Sequence, residues 1–318
     1  MNDLSPNPAP LVGAPRPSVG SRLLRTVVAT VLYFAWFAGL VGLRPEHSVL
    51  YGIMLFLYWS SRRGQRLLLA LSPLIAYWII YDSLRIMPNY TVGEVHIASL
   101  YNAEKQLFGI GEGALRQTPN EWFATHSYQF IDVLSGFWYL SWVPVPLLVA
   151  IYWFLTNKER YARFVGAFVF VNILGFIVYY LYPAAPPWYV AMHGFNLVPQ
   201  TLGSTAGLSR FDAWLGVEVF KGIYAKNSNV FAAMPSLHSA YPVVVAYYVI
   251  RAGRWPVRIG AVLFAVGIWL AAVYTSHHYI LDVLAGITCA LVGVTLWEGL
   301  ITGRVGRPWF RRFVTAIQ

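Results

Sequence analysis

Residues 279–300 read YILDVLAGITCALVGVTLWEGL and carry only two charged side chains, Asp282 and Glu298. About 20 consecutive apolar residues are enough to cross the hydrocarbon core of a bilayer as a helix. A helix satisfies its backbone N–H and C=O groups inside its own segment, which a lipid environment requires. This stretch therefore predicts a transmembrane helix.

Seven more apolar runs precede this one. They cover residues 23–43, 47–61, 66–84, 131–155, 161–182, 234–250 and 257–276. Only 11% of the 318 residues are charged, whereas soluble domains contain about 25%. We therefore predict an all-α integral membrane fold, a polytopic helical bundle. Two N-terminal spans, within residues 21–62, precede a six-helix core at residues 63–302. The run 47–61 is short, so we expect it to be tilted or partly re-entrant.

The positions of Lys and Arg predict which side of the membrane each connection faces. Of the 23 Lys and Arg residues, 16 lie before the first span, in every second connection or after the last span. Cytoplasmic loops are enriched in these residues, so we expect both termini in the cytoplasm. Residues 1–20 would form a disordered tail there and residues 303–318 a basic one. The long loops 85–130 and 183–233 would then face the extracytoplasmic side.

The charge and cysteine counts exclude other classes of protein. The net charge of +10 follows from membrane topology, so we expect no binding of nucleic acid. The single cysteine, Cys289, lies in an apolar run, which gives neither a disulfide framework nor a thiolate metal site. A chain without disulfides fits a bacterial inner membrane, which is where we expect it. Its oligomeric state has no signal in the sequence.

Two polar clusters lie at the extracytoplasmic ends of predicted spans. MPSLH, residues 234–238, opens the sixth span, and SHHYILD, residues 276–282, leads into the eighth. Ionisable groups at membrane depth are costly and usually functional. Although 40 residues separate His238 from His278, the topology places both at the same membrane face.

The residue types in these clusters point to phosphoryl chemistry. His278 and Asp282 are four residues apart, so on a helix they share a face and are expected to hydrogen-bond. The carboxylate would fix the tautomer of the imidazole and leave its other nitrogen free to attack. Pro235 suits the first position of a helix, which leaves the N–H groups near Ser236 free to bind a phosphate. His238 could protonate a leaving alkoxide and then deprotonate the next nucleophile.

Other interpretations of the two clusters stay open. The histidines could be packing or interfacial residues, as lone histidines often are. A metal site could use His238, His278 and Asp282, with His277, but no further carboxylate is at hand. A lipid-binding or transport protein could use the same fold without chemistry, and would keep its function in a His278→Ala variant. We expect a catalytic site that needs no metal and no cofactor, because histidines, helix-start amides and nearby cations supply the charge stabilisation.

The clusters resemble two signatures of a known family. PSLH at residues 235–238 and the spacing His278-x-x-x-Asp282-x-x-x-Gly286 resemble the second and third signatures of the phosphatidic-acid-phosphatase type 2 superfamily. The resemblance covers the six-span core, roughly residues 66–300. It implies that His278 forms a phosphohistidine, that Asp282 orients it, and that His238 is the acid and base.

The chain departs from the phosphatase pattern in its cations. The first signature, Lys-x6-Arg-Pro, is missing from the extracytoplasmic side, and Ala272 stands where an Arg is expected six residues before the nucleophile. In place of the first signature stands YPAAPPW, residues 182–188. This stretch, the Leu of PSLH and the doubled histidine are similar to inositol phosphorylceramide synthases. That similarity implies transfer of phosphoinositol from phosphatidylinositol to ceramide.

The missing cations also favour a diester substrate on physical grounds. A phosphate monoester dianion needs several cations around its oxygens, whereas a phosphodiester carries one negative charge. The alternative is a lipid phosphate or pyrophosphate phosphatase with water as the acceptor. Ceramide, a diacylglycerol-like alcohol and a polyprenol all present a hydroxyl on an apolar tail, so the sequence leaves the acceptor open.

Eight further residues are candidates for binding substrate. They are Pro235 and Ser236 at the helix start, His277 beside the nucleophile, Tyr182 and Trp188 in the proline-rich stretch, and the loop cations Arg210, Lys221 and Lys226. The proline-rich stretch could equally be a rigid chain reversal at the interface, and each loop cation could be a solvated surface charge.

Overall fold

The computed structural model describes residues 18–226 and 229–318, so most of the predicted tail at residues 1–20 lies outside the described residues. The chain divides after Ser60 into two compact units. The first unit contains the helices α1 (Val19–Trp36) and α2 (Pro45–Ser60), with a π-helical turn at Phe37–Val41 between them. Gly42 ends that turn with φ of 96°, a backbone conformation that favours glycine.

The second unit, Ser61–Gln318, carries the rest of the fold. Its helices are α3 (Arg62–Ser83), α4 (Ala98–Phe108), α5 (Pro119–Thr125), α6 (Gln129–Leu140), α7 (Pro144–Thr156), α8 (Lys158–Leu181), α9 (Pro187–His193), α10 (Ser209–Leu215), α11 (Val219–Tyr224), α12 (Leu237–Ala252), α13 (Trp255–Tyr274), α14 (Ile280–Thr302) and α15 (Gly306–Ile317). The described residues form no β-strand, only isolated bridges. The predicted all-α class is confirmed.

Six helical segments of the described residues are long and apolar enough to cross a membrane. They are Val19–Val41, Arg62–Ile86, Gln129–Thr156, Lys158–Leu181, Trp255–Tyr274 and Ile280–Thr302. The other two predicted spans are the helices α2 and α12, each of 16 residues. Such a helix rises about 24 Å, less than the roughly 30 Å of the hydrocarbon core. The protein is a multi-pass integral membrane protein.

The short helix α12 lies at the centre of the bundle, packed against α8, α13 and α14. Close contact with α14 depends on Gly286, because a Cβ at this position would collide with the backbone oxygen of Ser236. Gly175 of α8 similarly makes room for the side chain of Leu237. These contacts fix the first turn of α12 against α14, beside the nucleophile candidate His278.

The predicted span 131–155 is two helices, α6 and α7, rather than one. The helix is interrupted at residues 141–143. Pro144 occupies the first turn of α7, where its missing N–H costs no hydrogen bond. The break brings Tyr139 and Trp142 to His238, with ring centroids at 5.0 and 4.7 Å.

The loop 85–130 contains two helices, α4 and α5, that pack against α14 and α13. Thr118 accepts from the N–H of Glu121, and Glu121 accepts from the N–H of Thr118, so α5 starts with a capping box. The other helix of this loop is α4, Ala98–Phe108. Asp82 and Arg85, three residues apart at the end of α3, pair at 2.9 Å.

Candidate active site

His278 lies in the short connection between α13 and α14, and its two ring nitrogens have different partners. Nδ1 lies 3.0 Å from the backbone oxygen of Ala233. A carbonyl oxygen can only accept, so Nδ1 carries the proton and Nε2 presents its lone pair. The ring is buried, and burial lowers the pKa of His278 from 6.5 to about 4. At neutral pH the imidazole is therefore uncharged and nucleophilic.

The hydrogen bond predicted between His278 and Asp282 is not formed. Nδ1 of His278 and Oδ2 of Asp282 are 3.6 Å apart, because Nδ1–H donates to the backbone oxygen of Ala233 and Oδ2 accepts from the backbone N–H of Tyr279 at 2.8 Å. Oδ1 of Asp282 is buried with no hydrogen-bond partner among the described residues. The carboxyl group thus caps the start of α14 and faces the imidazole at a distance that allows electrostatic contact.

The helix that carries His238 starts two residues later than predicted, at Leu237 instead of Pro235. Ser236 is the capping residue, and its hydroxyl accepts from the N–H of Ser239 at 3.2 Å. The N–H of Ser236 is not free, because it donates to the backbone oxygen of Asp282 at 3.0 Å. Ser236 therefore joins α12 to α14 instead of offering its amide to a phosphate.

His238 and His278 meet directly. Nδ1 of His238 lies 3.2 Å from Nε2 of His278 and 3.2 Å from the hydroxyl of Tyr139. Because Nε2 of His278 is the acceptor, His238 is the donor in this pair. The two clusters predicted to share a membrane face are thus brought into hydrogen-bonding contact.

Two residues to which we assigned no chemistry brace the connection that carries His278. The carboxylate of Glu104 is fully buried and accepts from the N–H groups of Ile280 and Leu281 at 2.9 and 3.1 Å, at the start of α14. Burial raises the pKa of Glu104, and these two donors lower it in part. A charged residue on α4 is an ordinary surface residue in sequence, so only its burial identifies it.

Asn120 braces the same connection from α5. Its Nδ2 donates to the backbone oxygens of Val273 and His278, at 2.8 and 3.0 Å. It thereby links the last turn of α13 to the nucleophile candidate itself. The sequence signal was indirect: Asn120 follows Pro119 in a well-formed helix start, and nothing in the sequence indicates that its side chain points inward.

A cavity of about 540 Å³ opens beside the three histidines. Its walls are mostly aromatic and aliphatic, and it is lined by His238, His277, His278, Tyr139, Trp142, Tyr179, Trp188, Tyr224 and Lys226, among others. Among the described residues that line it, Lys226 is the only Lys, Arg, Asp or Glu. Such a site suits a ligand with one negative charge and a large apolar part.

Three of the eight predicted substrate-binding residues reach this cavity: His277, Trp188 and Lys226. Nδ1 of His277 contacts the hydroxyl and the backbone oxygen of Thr275, each at 3.1 Å. Burial, with the two neighbouring histidines, holds the pKa of His277 well below its usual range. His277 is therefore neutral at physiological pH and available for hydrogen bonding.

The other five predicted substrate-binding residues are not among the described residues that line the cavity, and they contact other partners. Arg210 pairs with Asp132 at 2.6 Å, and Lys221 pairs with Glu218 at 2.6 Å. The ring of Tyr182 stacks on that of His96, with centroids 3.8 Å apart. Pro235 and Ser236 are buried in the joint between α12 and α14. Within residues 18–226 and 229–318, no group of three or more His, Cys, Asp or Glu is placed to hold a metal ion.

The chain is similar in sequence to several known proteins. The family model described as the PAP2 superfamily matches residues 100–296. A phosphoinositol dihydroceramide synthase from Bacteroides thetaiotaomicron is 43% identical over 93% of this chain and 98% of its own length. The inositol phosphorylceramide synthase of Candida albicans is 31% identical over 50% of this chain and 35% of its own. The catalytic subunit of the inositol phosphorylceramide synthase of Saccharomyces cerevisiae is 26% identical over 69% of this chain and 54% of its own length. No solved structure matches the chain significantly.

Proposed function

The chain belongs to the PAP2 superfamily, and we propose that it transfers phosphoinositol from phosphatidylinositol to a ceramide through a phosphohistidine at His278. The names of its relatives support both the phosphoinositol group and the ceramide-type acceptor. They do not favour a phosphatase that uses water. Ceramide and dihydroceramide offer the same primary hydroxyl, so the chemistry below applies to either.

The observation that carries the proposal is the contact between Nε2 of His278 and Nδ1 of His238, 3.2 Å apart in a buried cavity. A nucleophile and its acid–base partner must lie within hydrogen-bond reach. A phosphorus atom between the two nitrogens needs more room than this contact leaves. The substrate phosphate must therefore open the hydrogen bond as it binds.

In the first half-reaction, Nε2 of His278 forms a bond to phosphorus and the bond from phosphorus to the diacylglycerol oxygen breaks. A protonated His238 gives its proton to that oxygen, so diacylglycerol leaves as a neutral alcohol. The imidazole of His278 becomes positively charged when its second nitrogen is bonded. The Asp282 carboxylate, 3.6 Å from Nδ1, stabilises that charge, and the Ala233 carbonyl holds the ring in place.

In the second half-reaction, the ceramide hydroxyl gives its proton to His238 and attacks the phosphorus. The bond between phosphorus and His278 breaks, which returns both histidines to their starting states. In-line displacement requires each alcohol oxygen to lie opposite His278, on the side of His238. The leaving and attacking alcohols therefore occupy the same position in turn.

The donor's charge matches the cavity. Phosphatidylinositol has one negative charge at its phosphodiester, and Lys226 supplies one cationic side chain among the described residues that line the cavity. We also propose that the site faces the extracytoplasmic side of a bacterial inner membrane. The enrichment of Lys and Arg at alternate connections supports the orientation, and the bacterial relative supports the membrane.

Purified protein in detergent, given phosphatidylinositol with and without ceramide, tests the proposal. We expect a ceramide-dependent phosphoinositol product by mass spectrometry, abolished in His278→Ala and His238→Ala. His126→Ala is the matched control, because this histidine is exposed on α5's C-terminal end. Release of inorganic phosphate from phosphatidic acid without any ceramide adduct would instead identify a phosphatase.

A further inference from the structure

The cavity beside the histidines continues far into the bundle. On α8 its lining residues run from Tyr179 through Phe176 and Phe168 to Phe164. At 1.5 Å per residue, Phe164 lies about 22 Å along the helix from Tyr179. Tyr179 is level with the histidine site, since the backbone N–H of Leu237 faces its hydroxyl. The cavity is therefore an elongated slot, not a compact pocket at the membrane surface.

Two other helices line the slot with the same periodicity. Tyr77 and Tyr81 represent the stripe on α3, and Pro146 and Ala150 the stripe on α7. Residues three and four apart lie on one face of a helix, so each helix gives the slot one continuous stripe. Both α3 and α7 pack against α8, which makes α8 the shared wall. We call this space the α3/α7/α8 slot.

The slot is apolar although tyrosines line it. The hydroxyl of Tyr77 pairs with that of Tyr241 at 3.3 Å, and Tyr241 donates to Asn172 at 2.7 Å. These hydroxyls are thus satisfied by the bundle. A polar head group in the slot would lose its water without finding equivalent partners, whereas a hydrocarbon chain loses nothing.

The far end of the slot is closed by tightly packed side chains. Ala150, Phe164 and Val165 line it and are 5%, 1% and 2% exposed. The near end opens at His238, which lies beside Trp142 with ring centroids 4.7 Å apart. A chain that enters at the histidines therefore meets a wall after roughly four helical turns.

We propose that the α3/α7/α8 slot holds one hydrocarbon chain of the lipid alcohol whose oxygen meets His238, and that Ala150 and Phe164 limit its length. This inference rests on the proposed function, because only an in-line transfer at His278 places that oxygen beside the slot's open end. Diacylglycerol and ceramide use the slot in turn, and the second chain of each lipid lies outside it.

Substitutions at the closed end test the limit on chain length. Ala150→Leu and Ala150→Phe shorten the slot in two steps, and Phe164→Ala lengthens it. Leu148→Phe adds an aromatic ring to the same helix but points outward, since Leu148 is 64% exposed. Each variant is assayed with phosphatidylinositol and two ceramide series. One series varies the sphingoid chain and the other the N-acyl chain.

We expect the Ala150 variants to shift the preference toward shorter chains in one of the two series, by about fourfold for each methylene that the slot no longer accepts. Phe164→Ala should shift it toward longer chains, and Leu148→Phe should match the wild type. If the active Ala150→Leu and Phe164→Ala variants keep the wild-type preference in both series, the inference is wrong. A wild-type protein that makes no ceramide adduct would refute the proposed function instead.

Discussion

Replacing Glu104 by Gln removes one hydrogen-bond acceptor at the start of the helix that follows His278, while the side chain keeps its shape. The carboxylate accepts from the N–H groups of Ile280 and Leu281, at the start of the helix that follows His278. An amide has one oxygen, so one of these two N–H groups would face the NH₂ group and lose its acceptor. Because Glu104 is fully buried, water cannot take its place.

The cost follows from that lost hydrogen bond. An unsatisfied buried donor costs about 1–3 kcal/mol. If about 2 kcal/mol of this penalty adds to the activation free energy, kcat falls by a factor of about 30. Glu104 is not among the described residues that line the cavity, so KM for phosphatidylinositol and for ceramide should stay within about twofold of wild type.

The assay is steady-state transfer of phosphoinositol to ceramide, with kcat and KM measured for folded, monodisperse protein. Glu112→Gln is the matched control, because Glu112 lies in the same loop and is exposed. A purely structural role would lower the yield of folded Glu104→Gln protein but leave its kcat unchanged. A kcat within threefold of wild type for the folded variant would refute the positioning role.

Three further predictions concern the same joint. Asn120→Asp removes the donor shared by two backbone oxygens, one of them that of His278, so kcat should fall more than tenfold in the transfer assay. Gly286→Ala should destabilise the protein by about 1–3 kcal/mol in thermal unfolding, whereas Gly299→Ala on the same helix, with open space around it, should not. Burial lowers the pKa of His277 and of His278, the latter to about 4, so the unfolded chain binds protons that the folded protein does not. The contribution of these two histidines to the free energy of unfolding should therefore be complete above pH 6.5 and decline as pH falls toward 4. A thermal midpoint that is unchanged over this range would contradict this prediction.

Much of the fold was predictable because lipid imposes simple rules on sequence. Every predicted span is helical, although the run 131–155 is two helices instead of one. The break between α6 and α7 was missed because residues 141–143 do not interrupt the apolar run, although Pro144 suits the first turn of a new helix. The start of α12 was placed two residues too early, because Ser236 is used as a cap rather than as part of the helix.

The candidate site was predictable in its members but less so in its contacts. Spacing placed His278 and Asp282 on one face, but it could not show that the Ala233 carbonyl, 45 positions away in sequence, accepts the hydrogen bond from the imidazole N–H. The same limit applies to one of the loop cations. Arg210 finds a carboxylate 78 positions away, a pairing that no local pattern encodes. Buried polar partners such as Glu104 are found only when the chain is folded.

The measurement that tests the central claim most directly is trapping of the covalent intermediate. Protein mixed with phosphatidylinositol in the absence of ceramide is digested at alkaline pH, where a phosphoramidate survives, and its peptides are analysed by mass spectrometry. We predict a phosphoinositol adduct on His278 that disappears when ceramide is added, and no adduct in His278→Ala. Ceramide-dependent transfer that persists in His278→Ala, with no adduct on this residue in the wild type, would contradict the account.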